Sequence, residues 1–77
     1  MRLLLVEDDD KTAEFISRAF RNEGFVVDVV RDGTGVSGKV VSFPFDVLVM
    51  DIMLPGKDGL SILREMRALG NRTPVLL

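Results

Sequence analysis

Four short apolar runs, separated by segments of helical character, constrain this chain more than any other feature. The first, Arg2–Val6, is apolar without alternation, the pattern of a strand buried on both faces of a parallel sheet. Phe25–Val30 (FVVDVV) is rich in β-branched residues, Phe45–Met50 (FDVLVM) ends on Asp51, and Pro74–Leu77 (PVLL) begins a fourth strand. After the first run, Asp9 or Asp10 is placed to cap a helix whose apolar positions are Ala13, Ile16 and Phe20, with Phe15 and Ala19. Asn22-Glu23-Gly24 stops that helix, with Gly24 at the left-handed position beyond its end. Arg31–Phe43 is less regular, because Gly33, Gly35 and Gly38 each cost about 1 kcal/mol relative to Ala inside a helix. It is read as a short, weak helix near Val36–Ser42. Leu54–Gly59 is turn chemistry, after which Asp58 caps a helix with Leu60, Leu63 and Met66, together with Ile62 and Leu69, on its apolar face; Gly70 ends it. Strand and helix alternate throughout, which predicts an α/β fold with a parallel sheet and right-handed crossovers.

With 77 residues the chain supports one domain at most. Its net charge of -2 offers no basic surface for nucleic acid or an anionic membrane. Cysteine is absent, which excludes disulfides and thiolate metal sites, and so is histidine, the commonest general base and transition-metal ligand. No apolar run approaches the roughly 20 residues of a membrane span. The opening MRLLLVEDD turns acidic too soon for a signal peptide, so the expectation is a cytoplasmic domain.

Against that plain background the stretch Glu7-Asp8-Asp9-Asp10 is awkward. Two like charges about 4 Å apart repel by roughly 4 kcal/mol at an effective dielectric of 20. In open parallel sheets, sites form outside the carboxyl ends of the strands. Glu7 and Asp8 end the first strand and Asp51 ends the third, so adjacent placement of those strands brings three carboxylates to one rim. Without His or Cys, hard oxygen donors call for Mg²⁺, with Mn²⁺ or Ca²⁺ as alternatives. A solvated acidic loop favouring the positive end of the following helix is the bland alternative. Asp51 counts against it, since an unpaired charge at the mouth of a buried strand is costly.

Two other motifs compete. GTGVSGKV at 33–40 has Gly33, Gly38 and Lys39 at phosphate-loop spacing, but Val40 stands where Ser or Thr would hold a metal ion. Asp8-Asp9-Asp10-Lys11-Thr12 fits the D-x-D-x-T pattern of haloacid dehalogenase-like phosphatases, with Asp8 as nucleophile; that reading leaves DIMLPGKDG unexplained. A purely structural, dimerising segment is the remaining class.

The stretches LLLVEDD at 3–9, DVLVMDIMLPGKDG at 46–59 and TPVLL at 73–77 resemble, in sequence and spacing, the receiver domain of two-component response regulators. The resemblance implies a flavodoxin-like sheet of strand order 2-1-3-4-5, with residues 1–77 covering its N-terminal part as far as the start of the fourth strand. The rest of the receiver, including a Ser or Thr and a Lys that attend the phosphoryl group, would then fall beyond Leu77, and switching would be impaired. By the same resemblance, Asp51 is the phosphoacceptor nucleophile, served by a sensor histidine kinase. Asp8 ligates Mg²⁺ directly, Glu7 acts through a metal-bound water, and the Met53 backbone carbonyl completes the metal site. Pro55 and Gly59 shape the loop after Asp51, while Asp9 and Asp10 are left to capping. The implied role is a signalling module rather than an enzyme. MRLLLVEDD and DIMLPGKDG look most like receivers joined to winged-helix DNA-binding domains, so DNA would be met through that output domain and not through these residues. An exposed sheet edge at PVLL leads to the further expectation of a homodimer or domain-swapped assembly.

Overall fold

The computed structural model describes residues 1–77. Its elements are β1 (Arg2–Val6), α1 (Asp10–Asn22), β2 (Val26–Val30), α2 (Val36–Ser42), β3 (Val47–Met50), α3 (Gly59–Ala68) and β4 (Val75–Leu76). The four strands form one parallel sheet of order β2-β1-β3-β4, the flavodoxin-like arrangement through its fourth strand. β1 lies inside the sheet, paired on both sides, which is why its side chains are apolar without alternation. Leu4 and Val6 face one core with Leu48 and Met50 of β3, Val36 and Val40 of α2, and Ile62 and Met66 of α3. Leu3 and Leu5 face the other, with Val27 of β2 and Ala13 of α1. No helix is long and apolar enough to cross a membrane.

The helix ends follow local chemistry. Asp9 caps α1, accepting from the Thr12 backbone N–H at 2.8 Å, and Asp58 caps α3, accepting from the Ser61 N–H at 2.9 Å. Beyond α1, Gly24 takes φ +92°, a left-handed value that favours glycine, and the chain turns so that Phe25 meets Phe20 edge-to-face with centroids 5.3 Å apart. α2 is only seven residues long and has no side-chain cap at Gly35, in keeping with its glycine-rich sequence.

The inward stripe of α1 differs from the expected one. Phe15 is 76% exposed and Ala19 is also exposed, while Ser17 is buried and donates its hydroxyl to the Glu14 carbonyl. The stripe that meets the sheet is Ala13, Ile16, Ser17 and Phe20, spaced i, i+3, i+4, i+7. At about 100° per residue Phe15 points roughly 200° away from Ala13. A small hydroxyl bonded back to its own helix fits against the sheet where a ring does not. In α3, likewise, Ile62 and Met66 are buried with Leu63 beside them, whereas Leu60 and Leu69 are exposed.

On the α1 face of the sheet, Leu5, Ile16, Val49 and Leu77 line a groove that ends at Glu7 and Asp51. The outer strand β4 contributes two residues only.

Met66 is fully buried and Phe15 is not, so the two should respond oppositely to truncation. Met66→Ala is expected to cost about 2–5 kcal/mol. Phe15→Ala should stay within about 0.5 kcal/mol of the parent. Urea titrations of the two variants compare them directly.

Candidate functional site

Parallel pairing of β1 with β3 levels Val6 with Met50. The next residue on each strand is therefore Glu7 on one side and Asp51 on the other, leaving the sheet at the same rim. Both stay tied to the ladder as they leave, the Glu7 N–H donating to the Val30 carbonyl at 3.0 Å and the Asp51 N–H to the Val6 carbonyl at 3.3 Å. Carboxylate oxygens of Glu7, Asp8 and Asp51 all lie within 4.8 Å of one another. Glu7 forms the buried wall of this cluster at 9% exposure, whereas Asp8 and Asp51 face solvent.

Backbone donors aim at two of the three acids. The Asp9 N–H reaches Glu7 Oε1 at 3.4 Å, a long contact, and the Met53 N–H reaches Asp51 Oδ1 at 3.3 Å. They do not balance the charge. Burial pushes the Glu7 carboxyl above the ordinary carboxylate range, the Asp9 N–H opposes this, and the negative charges of Asp51, Asp8 and Asp9 add to the rise. The cations Arg31 and Lys57 are paired elsewhere, with Asp10 and Glu65. A set of three carboxylates without nitrogen or sulfur donors suits a small hard dication. Mg²⁺ typically takes one or two carboxylates and fills the rest of its octahedron with water and other oxygens.

Glu7, Asp8 and Asp51 are thus brought together, and the Met53 backbone lies against Asp51. Asp9 is held by its cap, and its two hydrogen bonds from Thr12 keep its carboxyl below the usual range. Asp10 is not a cap; it sits in the first turn of α1 and pairs with Arg31. Those engagements divert Asp10 and Thr12 from the D-x-D-x-T arrangement. The phosphate-loop pattern dissolves too: Gly33 is buried, Gly38 lies within α2, and the Lys39 ammonium sits 5.6 Å from the Phe43 ring centroid. Gly59 is packed so closely that a Cβ there would come 2.5 Å from the Asp51 carbonyl oxygen, and its N–H donates to the Ile52 carbonyl at 2.7 Å. Only glycine lets α3 start directly behind Asp51. Sequence reasoning missed Gly33, which packs against the far side of the same loop. Its signal, the glycines before and within α2, reads in the sequence as helix weakness or as a phosphate-loop pattern, neither of which points to a close backbone contact.

Comparison with known proteins converges on one family. The model described as the response regulator receiver domain matches residues 3–77. The response regulator protein PmrA of Pseudomonas aeruginosa is 47% identical over all 77 residues, which span 35% of its length. The probable transcriptional regulatory protein SilR of Salmonella typhimurium is 40% identical, and CusR of Escherichia coli, a transcriptional regulatory protein, is 36% identical; the chain spans 34% of each. Among solved structures, the receiver domain of the Francisella response regulator 1452 superposes with a TM-score of 0.90 at 35% identity, over 96% of this chain and 61% of that one. The receiver domain of a sensor histidine kinase from Pseudomonas aeruginosa gives a TM-score of 0.90 at 36% identity, over 96% and 62%; that structure has a magnesium ion coordinated in its active-site cleft.

The raised Glu7 carboxyl makes stability depend on pH. A carboxyl that holds its proton more tightly in the folded than in the unfolded chain contributes fully below its unfolded value. That contribution is lost as pH rises through the folded value. At pH 7 without metal, Glu7→Gln should therefore raise the melting temperature, each 1 kcal/mol corresponding to about 4–8 °C at this size. The gap should close near pH 4, and added Mg²⁺ should raise the parent more than the variant. Calorimetric melts at the two pH values, with and without Mg²⁺, check all three.

Proposed function

The chain belongs to the response regulator receiver domain family, and from that premise we propose that Asp51 accepts a phosphoryl group from the phosphohistidine of a sensor histidine kinase. In this reading Asp8, Asp51 and the Met53 backbone carbonyl hold Mg²⁺, with Mn²⁺ able to replace it, and Glu7 engages the ion through a bound water. The observation that carries it is the meeting of three carboxylates from two strand tips within 4.8 Å.

Phosphoryl transfer asks little covalent chemistry of the protein and much positioning and charge neutralisation. When bound, the dication neutralises the acids and the incoming phosphoryl oxygens together. The Asp51 carboxylate oxygen attacks phosphorus, the phosphorus–nitrogen bond breaks, and its electron pair stays with the imidazole; an acyl phosphate on Asp51 results. Asp51 faces solvent, as an acceptor serving a macromolecular donor must. Its carboxylate is steered by the Met53 N–H, and Glu7 adds a buried carboxyl group to the cluster that would hold the ion.

The chain spans about a third of the regulators PmrA, SilR and CusR. Receivers of this kind serve output domains, so the reading extends to control of transcription through a DNA-binding domain outside residues 1–77. It also extends to a cytoplasmic location and to self-association as a homodimer or domain-swapped assembly. Light scattering should then report a species larger than a monomer; a cooperative monomer that binds no hydrophobic dye contradicts that part.

Radiolabelled acetyl phosphate tests the acceptor. Label should appear on the parent chain in Mg²⁺, fall to background in Asp51→Asn, and fall with chelation. A phosphatase using Asp8 gives the opposite pattern, with label surviving in Asp51→Asn.

A further inference from the structure

Loop β3–α3, residues 51–58, carries Asp51 and Met53, and two features on the α2 side of the molecule hold it. The first is a reciprocal glycine contact. The Gly33 N–H donates to the Pro55 carbonyl at 2.9 Å, and a Cβ on Gly33 would fall 1.8 Å from the Lys57 carbonyl oxygen and 3.0 Å from Ile62 Cδ1. Gly33 does not have a left-handed φ, so space rather than conformation demands glycine there. From the other side, a Cβ on Gly56 would fall 2.4 Å from Thr34 Oγ1. The two loops therefore touch backbone to backbone.

The second feature is a clamp of three side chains. Glu65 of α3 accepts from the Lys57 ammonium and from the Ser37 hydroxyl of α2, the latter at 2.8 Å. Lys57 and Ser37 together hold the Glu65 carboxyl below its usual range. Loop, α2 and α3 meet at one carboxylate. Where the loop meets α3, the Gly59 N–H closes back on the Ile52 carbonyl, and inside it the Met53 N–H closes on the Asp51 carboxylate. A shift of Pro55–Lys57 therefore has a short path to Asp51.

We propose that Gly33 is a positioning residue for Asp51, acting through loop β3–α3, and that the Ser37–Glu65–Lys57 clamp assists it. The proposal deepens the phosphoacceptor reading and rests on it for its functional consequence, while its structural part stands without metal. Moving the Lys57 carbonyl to admit a Cβ pulls the middle of the loop outward, and the donors to Asp51 and Ile52 move with it. Partners that orient a metal ligand from outside its shell commonly change affinity about 10- to 100-fold when lost.

The test uses Gly33→Ala alongside Gly33→Ala/Gly38→Ala. A Cβ at Gly38 meets nothing within 4 Å, so alanine there strengthens α2 and offsets general destabilisation. Amide hydrogen exchange in metal-free buffer reads the structural part. Met53 and Gly59 should exchange faster in both variants, while the capped Thr12 and Ser61 amides keep parental rates. Mg²⁺ titration by amide chemical shift reads the functional part, with affinity expected to fall ~10-fold or more in the double variant at parental melting temperature. Should Gly33→Ala fail to fold, Lys57→Met opens the clamp from an accessible side chain and should give the same pattern at smaller amplitude. Unchanged Met53 and Gly59 exchange in the folded variants overturns the proposal. Faster Met53 and Gly59 exchange in the variants, beside a parent chain that shows no Mg²⁺ response, instead overturns the metal reading and leaves Gly33 as the loop's anchor.

Discussion

Negative charges concentrated at the end of a buried strand are the constraint around which this molecule is arranged. The pairing of β1 with β3 sets Glu7 level with Asp51, and the apolar positions on both faces of β1 fix that pairing. A slip of one residue would turn Leu3 and Leu5 toward the other core and carry Glu7 out of line with Asp51. The packing that holds the sheet together is therefore also what assembles the acids. Burial of Glu7 raises the cost of ionising it, and a dication offsets that cost directly.

Around the acids the chain uses short local devices. Asp9 and Asp58 hold the first turns of α1 and α3. Glycine appears where backbones must approach closely: Gly59 behind Asp51, and Gly33 against Lys57. The acidic run at 7–10 is divided among separate tasks. Glu7 and Asp8 face Asp51, Asp9 caps a helix, and Asp10 pairs with Arg31. Identical chemistry in consecutive residues serves different ends because the strand stops at Val6 and the helix begins at Asp10.

Much of this was legible in the sequence. LLLV and VLVM, with their terminal acids, marked the strands and the rim, and the Asp-then-apolar pattern marked α1 and α3. What stayed hidden depends on contacts remote in the chain. Phe15 looked like core because it is apolar and near the right spacing, yet Ser17 took the inward place by bonding to its own helix. Asp10 resembled a second cap, and only the return of the chain at Arg31 gave it another partner. Gly33 and the Ser37–Glu65–Lys57 clamp join residues from separate turns of the alternation, and neither period nor propensity reports such a meeting.

Paramagnetic broadening by Mn²⁺ tests the shared ion most directly. At substoichiometric Mn²⁺ the amide signals of Glu7, Asp8, Asp51 and Met53 should vanish first and together, while those of Arg2, Val26 and Asp46 at the opposite end of the strands persist. Broadening centred instead on Asp9 and Asp10, or spread evenly over the acidic surface, would mean that the three carboxylates do not hold one ion between them.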